Sequence, residues 1–115
     1  MEVTIYHNPR CTKSRQTLAL LERRGLKPRI VEYLENPPSR KRLRQILKLL
    51  GLHPRDLMRK GEPAYRESGL DDESLSEADL IAAMVKNPTL MERPIVLANG
   101  KAALGRPPEN VLDIL

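Results

Sequence analysis

The sequence predicts an α/β fold made of a βαβ unit, a helical insert and a ββα unit. Three observations carry that expectation. A short β-branched stretch at the start runs into an amphipathic helix and then a second short strand. The middle repeats apolar residues at helical spacing. Near the end, an Asn-Gly pair separates two short apolar runs. At 115 residues the chain reads as a single domain, 1–115, with a real hydrophobic core and an insert over about 39–88.

The elements follow in order. Glu2-Val3-Thr4-Ile5-Tyr6 reads as a strand that ends in a turn at His7-Asn8-Pro9. In the segment TKSRQTLALLERRG, Leu18 and Leu21 are three apart and charges fill much of the other face. Gly25 and Leu26 suit a helix C-cap, with Pro28 just beyond. Residues 29 to 33, RIVEY, form a second strand, and the short joins make the two strands parallel. Leu43, Ile46, Leu47 and Leu50 then fall at i, i+3, i+4 and i+7 of a helix closed by Gly51.

Residues 54 to 68 read as a short helix plus loop, with Gly61 and Pro63 as breakers. Ser76 with Asp79 forms a capping box that opens a helix to about Lys86, and Asn87-Pro88 ends it. PIVL, Asn99-Gly100 and KAAL make a strand, a type I′ turn and a strand. Gly105-Arg106-Pro107-Pro108 starts a terminal helix, with proline suited to its first turn.

Composition excludes several classes. The apolar residues are nearly all aliphatic, with no Trp, no Phe and three Tyr. No apolar run is long enough to span a membrane. The first residues lack the basic and apolar pattern of a signal peptide. One cysteine rules out an internal disulfide and fits a reducing compartment, so the expected location is cytoplasmic. The net charge of +5 suits anionic partners, from small oxyanions to nucleic acid. Three tyrosines make a poor stacking platform for single strands. Arg40, Lys41, Arg42, Arg44 and Lys48 fit the wet face of an amphipathic helix better than a nucleic-acid surface. One Cys and two separated His give no metal-ligand spacing, and no nucleotide-binding glycine motif is present. His53, before Pro54 in a turn, reads as structural.

The chemistry gathers at His7-Asn8-Pro9-Arg10-Cys11-Thr12-Lys13-Ser14-Arg15. Cys11 falls between the first strand and the first helix, where unpaired backbone N–H groups stabilise an anion. Arg10, Lys13 and Arg15 add to this where they point inward. Both effects lower a thiol pKa and give a nucleophilic thiolate. The bland alternative is a small buried cysteine among solvated cations. Ser14, one turn along the same face, has a hydroxyl that could donate to the sulfur. His7 either tunes the thiol or caps the first strand. No second cysteine exists to resolve an adduct, so turnover needs an external thiol such as glutathione or a thiol protein.

These residues resemble a known family. His7-Asn8-Pro9-x-Cys11-x-x-Ser14-Arg15, Leu70-Asp71-Asp72, Arg93-Pro94-Ile95-Val96 and Gly105-Arg106-Pro107-Pro108 are similar to the glutaredoxin-fold, ArsC-type arsenate reductases of the short chromosomal branch. The resemblance implies a thioredoxin-like fold with a helical insert. It also implies Cys11 as the catalytic thiol, with Arg59, Arg93 and Arg106 binding the oxyanion. His7, Ser14 and Pro94 become auxiliary, with the Arg93-Pro94 bond cis. Its implied partners are arsenate or a similar oxyanion, glutathione as external reductant and glutaredoxin, with no tightly bound cofactor and no metal. Members from resistance operons usually carry Gly-Thr after the cysteine, where this chain has Thr12-Lys13.

Two other functions fit parts of the sequence. Transcription regulators that bind RNA polymerase share this fold as an interaction module, but they carry a Cys-x-x-Cys switch that Ser14 removes here. A thiol reductase acting on another substrate would use the same cysteine.

Overall fold

The computed structural model describes residues 1–115. The chain divides into two compact units. The first is Met1–Asn36 with Arg93–Leu115, and the second is Pro37–Glu92.

The first unit holds strand β1 (Val3–His7), helix α1 (Thr12–Arg23) and strand β2 (Arg29–Glu32). β1 and β2 are parallel, with Thr4 opposite Arg29 and His7 opposite Glu32. Gly25 has φ +77, and Leu26 N–H donates to the Leu21 carbonyl (3.2 Å), closing α1 as expected.

Strand β3 (Ile95–Ala98) runs antiparallel to β1, and strand β4 (Lys101–Leu104) antiparallel to β3. The sheet order is β2-β1-β3-β4. Asn99 and Gly100 both have positive φ (54° and 69°), the geometry of the type I′ turn. Val3 pairs with Ala98 and Ile5 with Val96, so the four share one face. Leu21 from α1 and Val111 and Ile114 from the chain end complete this core.

The chain end departs from expectation. Pro108–Ile114 is a 3₁₀ helix rather than an α-helix. Pro107 and Pro108 remove two backbone donors, and so short a segment closes tighter i to i+3 bonds instead. The Asn99 side-chain amide donates to the Ile114 carbonyl (2.9 Å) and ties the hairpin to this helix.

The second unit is helical. Helix α2 (Arg40–Leu50) buries Leu43, Ile46 and Leu47. Ser39 caps its start by accepting from Arg42 N–H (3.1 Å), and left-handed Gly51 (φ 68) closes it. Pro54–Leu57 is a 3₁₀ turn capped by His53, whose Nδ1 accepts from Arg55 N–H (3.2 Å). That is the structural role expected of His53. Pro63, expected to break structure, instead opens a short helix α3 (Pro63–Glu67). Its missing N–H costs nothing at a first helical position.

Helix α4 (Glu77–Lys86) carries the Ser76/Asp79 capping box and buries Leu80, Ile81 and Met84. It packs against α2. No helix of the protein is long and apolar enough to cross a membrane.

Candidate active site

The site grows from the turn between β1 and α1. Asn8 shapes that turn: its side-chain Oδ1 accepts from Arg10 N–H (3.0 Å), and its carbonyl accepts from Cys11 N–H (3.0 Å). An Asn side chain that mimics a backbone turn in this way is an Asx-turn. Cys11 follows as the N-cap of α1, with extended backbone (φ −92, ψ 123). An N-cap side chain faces the free N–H groups of the second and third helical residues, here Lys13 and Ser14. In most proteins an oxygen of Ser, Thr, Asp or Asn fills that place. Here a sulfur stands at that position, and it closes no side-chain cap hydrogen bond.

That position sets the thiol. Partial burial of the sulfur opposes ionisation. The N–H of Ser14, the Arg93 guanidinium and the N–H of Lys13 together outweigh it and hold the Cys11 thiol below its ordinary pKa. The cation acting on sulfur is thus Arg93, not the neighbours in sequence. Arg15 is exposed and donates to the Pro9 carbonyl (3.0 Å), which braces the turn from outside. Arg10 is exposed as well.

Ser14 is fully buried. Its hydroxyl accepts from Asn8 N–H (3.0 Å) and bonds His7 Nδ1 (2.6 Å). The hydroxyl therefore holds the turn, and the Ser14 group that favours the thiolate is its backbone N–H. This differs from the donation expected of the hydroxyl. His7 ends β1 and is 6% exposed. Burial pushes its pKa down, with Glu32 pulling it up and Arg15 adding to the fall. Neutral His7 can accept the Ser14 hydroxyl proton at Nδ1.

The opposite wall comes from the segment before β3. The Arg93-Pro94 bond is cis. Pro94 is buried, and its carbonyl accepts from Gly105 N–H (2.9 Å). Gly105 has no room for a side chain: a Cβ there would collide with Thr17 Oγ1 and stand 2.7 Å from Pro94 Cγ. Glycine is needed for this close approach of α1, Pro94 and the end of β4. Arg93 is half-buried, and its Nε is buried without a hydrogen-bond partner. Arg106 is exposed, and its Nη1 donates to the Arg93 carbonyl (3.3 Å). The Arg106-Pro107 bond is also cis.

The first unit thus gathers His7, Cys11, Ser14, Arg93, Pro94 and Arg106. Arg59 belongs to the second unit. There it is half-buried, its N–H donates to the Leu90 carbonyl (2.7 Å), and its Nε lies 3.5 Å from Glu62. No group of His, Cys, Asp or Glu could hold a metal ion.

Sequence patterns of this kind belong to a described lineage. The ArsC family profile matches residues 6–114. The chain belongs to the ArsC family. It is 59% identical over 115 residues to the uncharacterized protein YfgD of Escherichia coli K12, covering 99% of this chain and 97% of that one. It is 50% identical over 115 residues to an arsenate reductase of Neisseria meningitidis serogroup B, covering 99% and 98%. The solved arsenate reductase from Vibrio cholerae superposes with a TM-score of 0.97 at 52% identity, covering 100% of this chain and 98% of that one. The sheet with its helical insert is the ArsC variant of the thioredoxin-like fold.

Two contributors to this ArsC site escape a residue-by-residue reading. Asn8 builds the turn that presents Cys11, and the only local signal is an Asn before a Pro. Thr17 packs on Gly105 and donates to the Lys13 carbonyl (2.8 Å). Its three-residue spacing from Ser14 marks the face, but hydropathy does not, because both side chains are polar.

Proposed function

We propose that the protein is an arsenate reductase in which Cys11 is the nucleophile and glutathione with glutaredoxin regenerates it. One observation carries this reading. The only thiol of the chain stands at the N-cap position of α1, where the N–H of Ser14, the Arg93 guanidinium and the N–H of Lys13 favour its thiolate. Relatives named arsenate reductase, half identical over the full length, support the choice of oxyanion.

The chemistry is as follows. A thiolate and arsenate repel each other, and guanidinium groups in a partly desolvated site offset that repulsion. Arg93 and Arg106 are the guanidiniums we assign to this task; the assignment of Arg59 rests on the family resemblance. Cys11 attacks As(V). An S–As bond forms, an As–O bond breaks, and the oxygen leaves as hydroxide or water. Glutathione thiolate then attacks the Cys11 sulfur. An S–S bond forms, the S–As bond breaks with its electron pair kept by arsenic, and arsenite departs. Arsenic gains two electrons, and the two thiol sulfurs lose them. Glutaredoxin takes the glutathionyl group and frees Cys11. These partners belong to the reducing cytoplasm, where we place the reaction.

The test is a coupled assay with NADPH, glutathione reductase, glutathione and glutaredoxin. Arsenate-dependent loss of NADPH is expected, and it should vanish in Cys11→Ser. Without added thiol, at most one arsenate is consumed per Cys11. Sustained turnover without thiol would contradict the single-cysteine cycle.

A further inference from the structure

A hollow of about 370 Å³ opens beside the Cys11 turn. That volume lies within the range of small-molecule sites, about 300–1,000 Å³. Its walls are His7, Asn8, Pro9 and Arg10 from the turn, with Glu32, Leu34 and Glu35 from the end of β2. It is built wholly within the first unit.

The charges around the hollow are not spent on one another. Arg10, Glu32 and Glu35 are exposed, and none of the three has an ion-pair partner. His7, also in the wall, is nearly fully buried, and Ser14 occupies its Nδ1. Its Nε2 makes no hydrogen bond within the protein. Opposite charges held apart around one cavity, with a ring nitrogen among them, suit a zwitterion: an ammonium toward the carboxylates and a carboxylate toward the guanidinium. Leu34 adds an apolar contact.

We propose that this hollow binds the γ-glutamyl end of the incoming thiol, glutathione. The inference rests on the reading above that an external thiol releases Cys11. The γ-glutamyl group carries an ammonium and a carboxylate on one carbon, the pair of charges the walls complement. Reach is adequate. Arg10 adjoins Cys11 in the chain, so their Cα atoms are ~3.8 Å apart, and an extended tripeptide spans ~10 Å. A thiol on the central residue of a γ-glutamyl tripeptide anchored here lies within range of the Cys11 sulfur. The glycyl end stays outside the hollow.

The experiment removes arsenic, so that this inference and the arsenate reading fail separately. Cys11 is converted to its mixed disulfide with thionitrobenzoate. An attacking thiolate forms a new S–S bond at Cys11 and expels coloured thionitrobenzoate. Release is followed against the concentration of glutathione, and separately of cysteinylglycine, which has the same thiol but no γ-glutamyl group. The expected result is saturation with glutathione and a linear dependence with cysteinylglycine. In Glu32→Gln/Glu35→Gln and in Arg10→Gln, the ratio of the glutathione rate to the cysteinylglycine rate at low concentration should fall at least about fivefold. Using the ratio cancels any change in folding or in Cys11 itself.

A linear glutathione dependence, or the same ratio in wild type and variants, would overturn the hollow as a glutathione site. The arsenate assay would stand untouched by that outcome. Saturation here with no arsenate consumption would instead keep the hollow and remove arsenate.

Discussion

Helices α1 and α2 have nearly the same length, 12 and 11 residues, yet they bury different chemistry. The buried face of α2 is Leu43, Ile46 and Leu47; that of α1 is Ser14, Thr17 and Leu21. Burial of aliphatic side chains suffices to place α2. The buried polar groups of α1 need partners, and they find them in His7, Asn8 and the Lys13 carbonyl. The contrast separates a face that supplies stability from one that holds a thiol in a defined setting.

The largest expected effect comes from α2. Leu43 is fully buried, and Leu43→Ala should cost about 2–5 kcal/mol in chemical denaturation. Its Cys11 alkylation profile, measured under folding conditions, should match wild type. A shifted profile would break the comparison by tying the thiol to the α2 face.

Gly105→Ala comes next, at about 1–3 kcal/mol, because its Cβ would collide with Thr17 and Pro94. Thr17→Ala/Gly105→Ala should regain part of that loss, since it removes Oγ1 and Cγ2 from the contact. The double-mutant cycle measures the coupling. Gly105→Ala as stable as wild type would mean that no close approach constrains Thr17.

Arginine geometry follows. Arg93→Lys and Arg106→Lys keep the charge but lose the fork that meets two oxygens of an oxyanion. Each should lose at least about tenfold in kcat/KM for arsenate, roughly 1.4 kcal/mol. Arg40→Lys, exposed at the start of α2, is the control and should be silent. Equal behaviour of all three would reduce Arg93 and Arg106 to a diffuse positive field.

The smallest effect on the thiol is expected from Ser14→Ala. It deletes the hydroxyl that meets His7 and Asn8 but leaves the backbone N–H that favours the thiolate. Stability should fall by about 1–3 kcal/mol, the cost of an unpaired buried donor. The Cys11 titration should move less than in Arg93→Met. The opposite ranking would return the hydroxyl to the sulfur.

The same contrast explains what the sequence made legible. The α2 face, the Ser76 capping box and the Asn99-Gly100 turn were readable because local spacing and backbone preference decide them. The place of Cys11 at the start of α1 was readable because a strand ends at the His7-Asn8-Pro9 turn and a helical segment follows at once. The cation beside it, Arg93, was named only through the family resemblance, not by any local pattern. Arg10, Lys13 and Arg15 are near in sequence, but Arg93 arrives through the antiparallel pairing of β3 with β1, which no local pattern reports. The roles of Ser14 and Thr17 were hidden for the same reason, since their partners are placed by tertiary contact. The 3₁₀ form of Pro108–Ile114 was hidden because proline suits the first turn of either helix type.

The central claim is that the start of α1 and Arg93 together hold the Cys11 pKa below that of a free thiol. Iodoacetamide alkylation of Cys11 as a function of pH tests it most directly. The rate follows the thiolate, so it should fall as pH drops through the Cys11 pKa, with a midpoint below about 8.5, the ordinary free-thiol value. Arg93→Met should raise that midpoint. A wild-type midpoint at or above about 8.5, unmoved by Arg93→Met, would contradict the account.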